Sequence, residues 1–320
     1  MIEAQISRPE LAVYGSASLD LVFSGLADFP KPGQEVIAEK LEVLPGGALI
    51  TPFVAARLGI RSAFCGTVGH DYFGQLLRSQ LGQMDMDVAY LAGDEHTGTS
   101  VSAVLPAGSD RGFATYFEPS DYEAEAVMLA NARRDGAVRI HAYLSDIYNA
   151  KDTPVLAELL DPGWLLTLDS GWDERLTFDN CAVFIKQAEI FFTNEDELRQ
   201  LSDGDTEAGI GLLRSWMSDP ANRLRLVVLK TGSMGSTLIR QEEEHLVLSI
   251  DIGQKVDSTG AGDSYGAGFL AGLMRGLDDR ESARLASAAG GMAVTYYGGV
   301  NDAFDAAAVV EAAGLKERIS

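Results

Sequence analysis

Short hydrophobic runs, each closed by a turn residue or a charge, recur along the chain with amphipathic stretches between them. LAVYG (11–15), SAFCG (62–66), VRIHA (138–142), LLTLD (165–169), IFFTN (190–194) and LRLVVLK (224–230) read as strands buried on both faces. Tyr72–Leu81, Asp152–Leu160 and Thr206–Ser218 carry the helical period between them. This alternation predicts an α/β fold, a mainly parallel sheet covered by helices on both faces. Near the end, STLIR (236–240) and HLVLSI (245–250) flank the charged QEEE and predict a hairpin with a solvated tip.

Two stretches break the rhythm. Residues 18–44 and 97–118 hold short alternating strands and turns without a long helix, and both exceed a simple connection in a compact domain. They predict a small β-sheet projecting as a lid from a single domain spanning 1–320; the other reading makes them extra edge strands of the main sheet. Phe23, Phe113, Tyr116 and Phe117 are the aromatic side chains such a lid could use, or bury as core.

With 320 residues and 46% hydrophobic content the chain can bury a large core. Its two cysteines, Cys65 and Cys181, form no CxxC pair and suggest buried thiols in a reducing cytoplasm, not a disulfide framework or a thiolate metal site. The opening MIEAQISRPE has neither a basic n-region nor an apolar h-region, and no run reaches membrane-span length. A cytoplasmic protein with no membrane partner is expected. A net charge of −22 repels a phosphate backbone, which argues against nucleic acid. It also means that a bound nucleotide needs a local device, amide groups or a metal ion. His70, His96, His141 and His245 show no metal-ligand spacing and read as structural.

The chemistry concentrates in VDSTGAGDSYGAGFL (256–270). Gly260 and Gly262 leave room for backbone to approach a ligand, and the small and apolar residues after Asp263 suit a buried helix. The amides of Gly260, Ala261 and Gly262 would then form an anion site at a helix N-terminus. Asp263 is there either as the helix cap or as a general base that deprotonates a substrate hydroxyl during phosphoryl transfer. No GxxxxGK[ST] occurs, which excludes a P-loop. Asp20 closes an apolar strand, where its carboxylate needs donors such as hydroxyls or backbone amides. Asn194 and Glu197 would share one face of a helix starting at 194.

Segment 257–270 resembles the second signature of the ribokinase-like carbohydrate kinases, the PfkB family, with its core DTxGAGD. Other landmarks follow in the family order: YGSASLD (14–20), PGGALITPFVAARLGIRSAFCGTVGHDYFG (45–74), NEDE (194–197) and KTGSMG (230–235). The resemblance implies a three-layer α/β/α domain with a small β-sheet lid that transfers phosphoryl from ATP, with Mg²⁺, to a sugar or sugar-like hydroxyl. It implies Asp263 as the base, Gly260, Ala261 and Gly262 as the anion hole, and Asp20, Gly46, Gly47 and Thr51 on the acceptor. Asn194 and Glu197 would organise magnesium and phosphate, and Thr231 and Gly232 would meet the nucleotide. Asp257 and Thr259, with backbone from 293–298, would hold a monovalent cation such as K⁺, and a homodimer would form through the lid. Thr51 departs from the family's usual asparagine, and Ala48 stands where ribokinase has lysine, which leaves the acceptor open. A nucleoside kinase and a catalytically silent sensor of the same fold are the rival readings.

Overall fold

The computed structural model describes residues 8–84, 86–107 and 110–319. Residues 1–7, which hold most of the polar opening, and residues 108–109 of the second irregular stretch therefore lie outside the described residues. The strands are β1 (Leu11–Tyr14), β2 (Ala17–Ser24), β3 (Lys40–Gly47), β4 (Ser62–Gly69), β5 (Leu91–Asp94), β6 (Ser100–Ala107), β7 (Asp110–Tyr116), β8 (Arg139–Tyr143), β9 (Leu165–Asp169), β10 (Ile190–Asn194), β11 (Leu226–Lys230), β12 (Ser236–Ile239) and β13 (Glu244–Val247).

One sheet runs β13-β12-β11-β10-β9-β8-β1-β4-β5. It is parallel from β11 through to β5, and the antiparallel pairs lie at β11-β12-β13, where the charged turn reverses the chain. The remaining strands form a separate sheet, β3-β2-β6-β7, so the two irregular stretches build their own sheet and do not widen the main one. Its strand β3 runs on past residue 44 to Gly47, which places the glycine pair on that sheet opposite Ala17 and Ser18.

Neighbouring residues of β1 show why the hydrophobic runs are unbroken. Leu11 and Val13 join one apolar cluster while Ala12 and Tyr14 join another on the opposite face. The first cluster is closed by helices Ile50–Arg57, Ala261–Met274 and Asp279–Ala293, the second by helices Tyr122–Arg134, Pro154–Leu159 and Phe178–Ile185. Strand β5 has no hydrophobic run to announce it: LAGD reads as a turn, and it becomes a strand because it pairs with Gly66–Gly69, where β4 continues past its apolar part. Cys65 and Cys181 are buried and free, and no helix among the described residues is long and apolar enough to cross a membrane.

One buried acid gives the fold a pH dependence. Glu125, at the start of helix Tyr122–Arg134, is only 1% exposed and accepts from Tyr14 Oη at 3.0 Å and Thr67 Oγ1 at 3.1 Å. Burial pushes its carboxyl from 4.5 up to about 7, against the hydrogen bonds from Ser120, Tyr14 and Thr67. The folded chain therefore holds a proton that the unfolded chain has released, and stability present below the unfolded pKa is lost as pH rises through about 7. E125Q removes this titration. Between about pH 5.5 and 8.5 the Tm of the variant should fall by several degrees less than that of the wild type, and parallel curves would contradict the assignment.

Candidate active site

The parallel strands end in polar residues on one edge. Tyr143, Asp169, Asn194 and Lys230 are the last residues of β8, β9, β10 and β11, with Tyr143 opposite Asp169 and Asn194 opposite Lys230. The chain builds outward from β1 through β4 and β5, then returns to β8 on the other side of β1. Such a reversal opens a crevice at the carboxyl ends of the strands, and a cavity of about 1140 Å³ lies there. A single small-molecule pocket spans roughly 300–1,000 Å³, so this one lies just above the top of that range.

At one end stands the start of helix Ala261–Met274. Its N-cap is Gly260, in the left-handed region at φ 73°, and no side chain caps it. A Cβ on Gly260 would lie 2.8 Å from Gly299 Cα, so space as well as backbone conformation demands glycine. Elsewhere Asp71, Asp121, Asp205, Asp278 and Asp305 cap their helices with their carboxylates. Asp263 does not. It is inside the helix, and its Oδ1 accepts instead from Tyr143 Oη at 2.8 Å. The cap reading of Asp263 is therefore excluded; Ala261 and Gly262 open the helix at the cavity wall, where the Ala261 amide makes only a long 3.4 Å bond to the Ser258 carbonyl. Burial first, and the Asp169 charge second, push the Asp263 carboxyl up to about 6, opposed by Lys230 and the Tyr143 hydrogen bond.

Lys230 supplies positive charge at this spot. Its Nζ pairs with Asp169 Oδ2 at 2.7 Å, both side chains being nearly buried. A Cβ on Gly262 would sit 3.4 Å from that Nζ, so the ammonium lies against the open helix start. Burial alone would lower its pKa, but Asp169 and Glu197 outweigh burial and hold it above its ordinary value. In a chain of net charge −22 a lysine held charged beside a helix start is a local feature suited to an anion.

Asn194 and Glu197 form a reciprocal cap on helix Glu195–Leu201: Asn194 Oδ1 accepts from Glu197 N and Glu197 Oε2 from Asn194 N, each at 2.9 Å. Glu197 Oε2 also accepts from the Ser170 hydroxyl, and burial raises this carboxyl while Lys230 opposes the rise. Both residues line the cavity. Gly232 lines it too, whereas Thr231 stands behind the wall with its hydroxyl buried and unpartnered. Asp257 Oδ1 accepts from Thr259 N at 3.0 Å and Thr259 Oγ1 at 2.8 Å, and its Oδ2 from Gly298 N at 3.0 Å, which ties the glycine-rich loop to residue 298.

The other end lies at the small sheet. Asp20 on β2 is 5% exposed, accepts from Ser18 Oγ at 2.9 Å and faces the cavity. A Cβ on Gly46 would fall 2.1 Å from Asp20 Oδ2, so glycine on β3 is what makes room for this carboxylate. Burial raises Asp20 to about 6, the Ser18 bond opposing and the charges of Asp257 and Asp263 adding. Gly47 lines the wall beside it, while Thr51 is fully buried in helix Ile50–Arg57, with its hydroxyl 2.7 Å from Tyr143 Oη. Phe113, Phe117 and the exposed Trp172 face the same end, whereas Phe23 and Tyr116 are not in the wall.

Tyr143, Asp169 and Asp146 belong to this site without having been singled out by their sequence positions. Asp169 and Lys230 end hydrophobic runs with opposite charges, and that pattern is the sequence signal for their ion pair. Tyr143 follows an apolar run and reads as core. Asp146, bonded to Ser16 across the cavity mouth, carries no signal in its local sequence.

The fold and this edge define a ribokinase-like small-molecule kinase. Residues 8–306 match the model of the pfkB family carbohydrate kinases, and the chain belongs to that family. It is 27% identical to a ribokinase of Arabidopsis thaliana over 307 residues, covering 91% of this chain and 78% of that one. It is also 27% identical to a nucleoside kinase of Methanothermobacter thermautotrophicus over 301 residues, covering 87% of each. The solved structure of A. thaliana ribokinase complexed with ribose and ATP shares the fold at a TM-score of 0.74 and 22% identity, over 96% of this chain and 99% of that one.

Proposed function

We propose that the enzyme transfers the γ-phosphoryl group of ATP to a hydroxyl of a sugar or sugar-like molecule. The observation that carries this reading is one cavity with an uncapped helix start, Asp263 and Lys230 at one end and the Asp20 carboxylate at the other. The acceptor hydroxyl gives its proton to Asp263, its oxygen bonds to Pγ, and the bond from Pγ to the ADP oxygen breaks. The 260–262 amides and Lys230 stabilise the charge on the transferring group. Asp20 and Gly47 orient the acceptor; Gly46 acts from behind, by the space it leaves.

The residues present fit magnesium in the way it is ordinarily held, by one or two carboxylates with waters and phosphates. Glu197 Oε1 has no hydrogen bond among the described residues, and Asp169 stands near it across the site. When bound, the ion neutralises phosphate charge. For potassium, Asp257 Oδ2 keeps one acceptor position beyond its Gly298 bond, with Thr259 and backbone of 293–298 around it. A cytoplasmic setting fits the two buried free thiols, and a homodimer through the small sheet fits the exposure of Leu41 and Tyr116 on it.

Asp20 and Asp146 both face the acceptor end, so neutral acceptors should be preferred over sugar acids. Phe113, Phe117 and Trp172 favour a second reading, a nucleoside whose base stacks on them. An ADP-release screen with Mg²⁺ over sugars, polyols, sugar acids and nucleosides tests both. Turnover with a neutral sugar or a nucleoside chooses between them; ligand-induced stabilisation without ADP from any acceptor would favour the silent sensor. With the accepted substrate, D20A should raise the acceptor KM about tenfold or more and leave the ATP KM unchanged.

A further inference from the structure

Thr51 and Tyr143 are buried hydroxyl groups that the mechanism above does not use. Tyr143, at the end of β8, is 8% exposed and bridges two elements: its Oη lies 2.7 Å from Thr51 Oγ1 and 2.8 Å from Asp263 Oδ1. A phenol has one proton and an ionised carboxylate has none, so the Tyr143 proton points at Asp263. The Thr51 hydroxyl must then donate to the phenolic oxygen. The other acceptor within its reach is the backbone carbonyl of Asp263 itself, at a long 3.4 Å. Both bonds of the Thr51 hydroxyl among the described residues therefore end, directly or through Tyr143, on Asp263.

We propose that Tyr143 is a positioning residue for the base. Its hydroxyl pins one carboxylate oxygen of Asp263 and leaves the other turned to the acceptor, and Thr51 fixes the direction in which Tyr143 donates. The inference rests on the reading of Asp263 as the base. It also gives Thr51 a role suited to its size, since a short hydroxyl behind the cavity wall reaches Tyr143 and does not reach a ligand.

The groups facing Asp263 are Asp169 from β9, Lys230 from β11, Glu197 from helix Glu195–Leu201, Asp20 from β2 and Tyr143 from β8. Of these, Tyr143 is hydrogen-bonded to the carboxylate. Burial first, and the charge of Asp263 second, hold the Tyr143 hydroxyl well above its ordinary range, so it stays a donor at working pH. A donor to the ionised form keeps the carboxyl pKa down, and its removal lets that pKa rise.

The test is the pH profile of kcat/KM for Y143F and T51V, with the ATP KM and Tm measured alongside. In Y143F the acid limb should move up by about one pH unit and kcat should fall about tenfold, with the ATP KM unchanged. T51V should move the limb in the same direction by less, because Tyr143 keeps its proton but loses the donor that strengthens it. Acid limbs that stay in place in both variants, whatever happens to Tm, would overturn the proposal. A wild-type acid limb that persists in D263N would instead remove the base reading on which it rests.

Discussion

Asp263→Asn should lower turnover by about 10²–10⁴-fold, the range for loss of a general base, while the protein folds and still binds nucleotide. The expectation follows from where the carboxylate sits. It caps no helix, because Gly260 is the N-cap, so its loss leaves the helix start as it was. Asparagine keeps an oxygen for the Tyr143 hydroxyl and takes one negative charge away from the incoming phosphates. Stabilisation by a non-hydrolysable ATP analogue with Mg²⁺ should therefore be retained or increased, and kcat should carry the loss. Turnover near that of the wild type would remove Asp263 from the chemistry.

Lys230→Met should lower kcat/KM for ATP by about 10²-fold or more, as the loss of a preorganised charge at the transferring group does. It should also destabilise the fold, because Asp169, 5% exposed, is left as a buried charge without its partner, a loss of about 3–5 kcal/mol. The single variant therefore mixes two effects. The double variant D169N/K230M isolates the stability part: it should regain much of the Tm while activity stays low. Recovery of activity together with Tm would mean that Lys230 matters only as the counterion of Asp169.

The sheet was legible because its strands are buried on both faces, which leaves runs such as IFFTN and LLTLD unbroken; both match β10 and β9 residue for residue. β5 was not legible, since LAGD is a strand only through its pairing with β4. Within the site, local geometry could be read where a glycine or a carboxylate breaks a pattern, as at Gly260 and Asp20, whereas Gly46 came only with the family resemblance. What could not be read were contacts set by register between distant segments. Tyr143 meets Asp263, and Asp169 meets Lys230, only because strands far apart in sequence end on one edge. Thr51 shows the same limit. The family resemblance puts it on the acceptor, yet its hydroxyl is turned to Tyr143 behind the cavity wall.

The most direct test is a crystal structure with Mg²⁺, a non-hydrolysable ATP analogue and the accepted substrate. The account predicts the γ-phosphate against the amides of 260–262 beside Lys230, with an acceptor hydroxyl about 3 Å from the free oxygen of Asp263 and a second one on Asp20. A nucleotide whose γ-phosphate lies away from this helix start, or an acceptor whose hydroxyls do not reach Asp263, would contradict it.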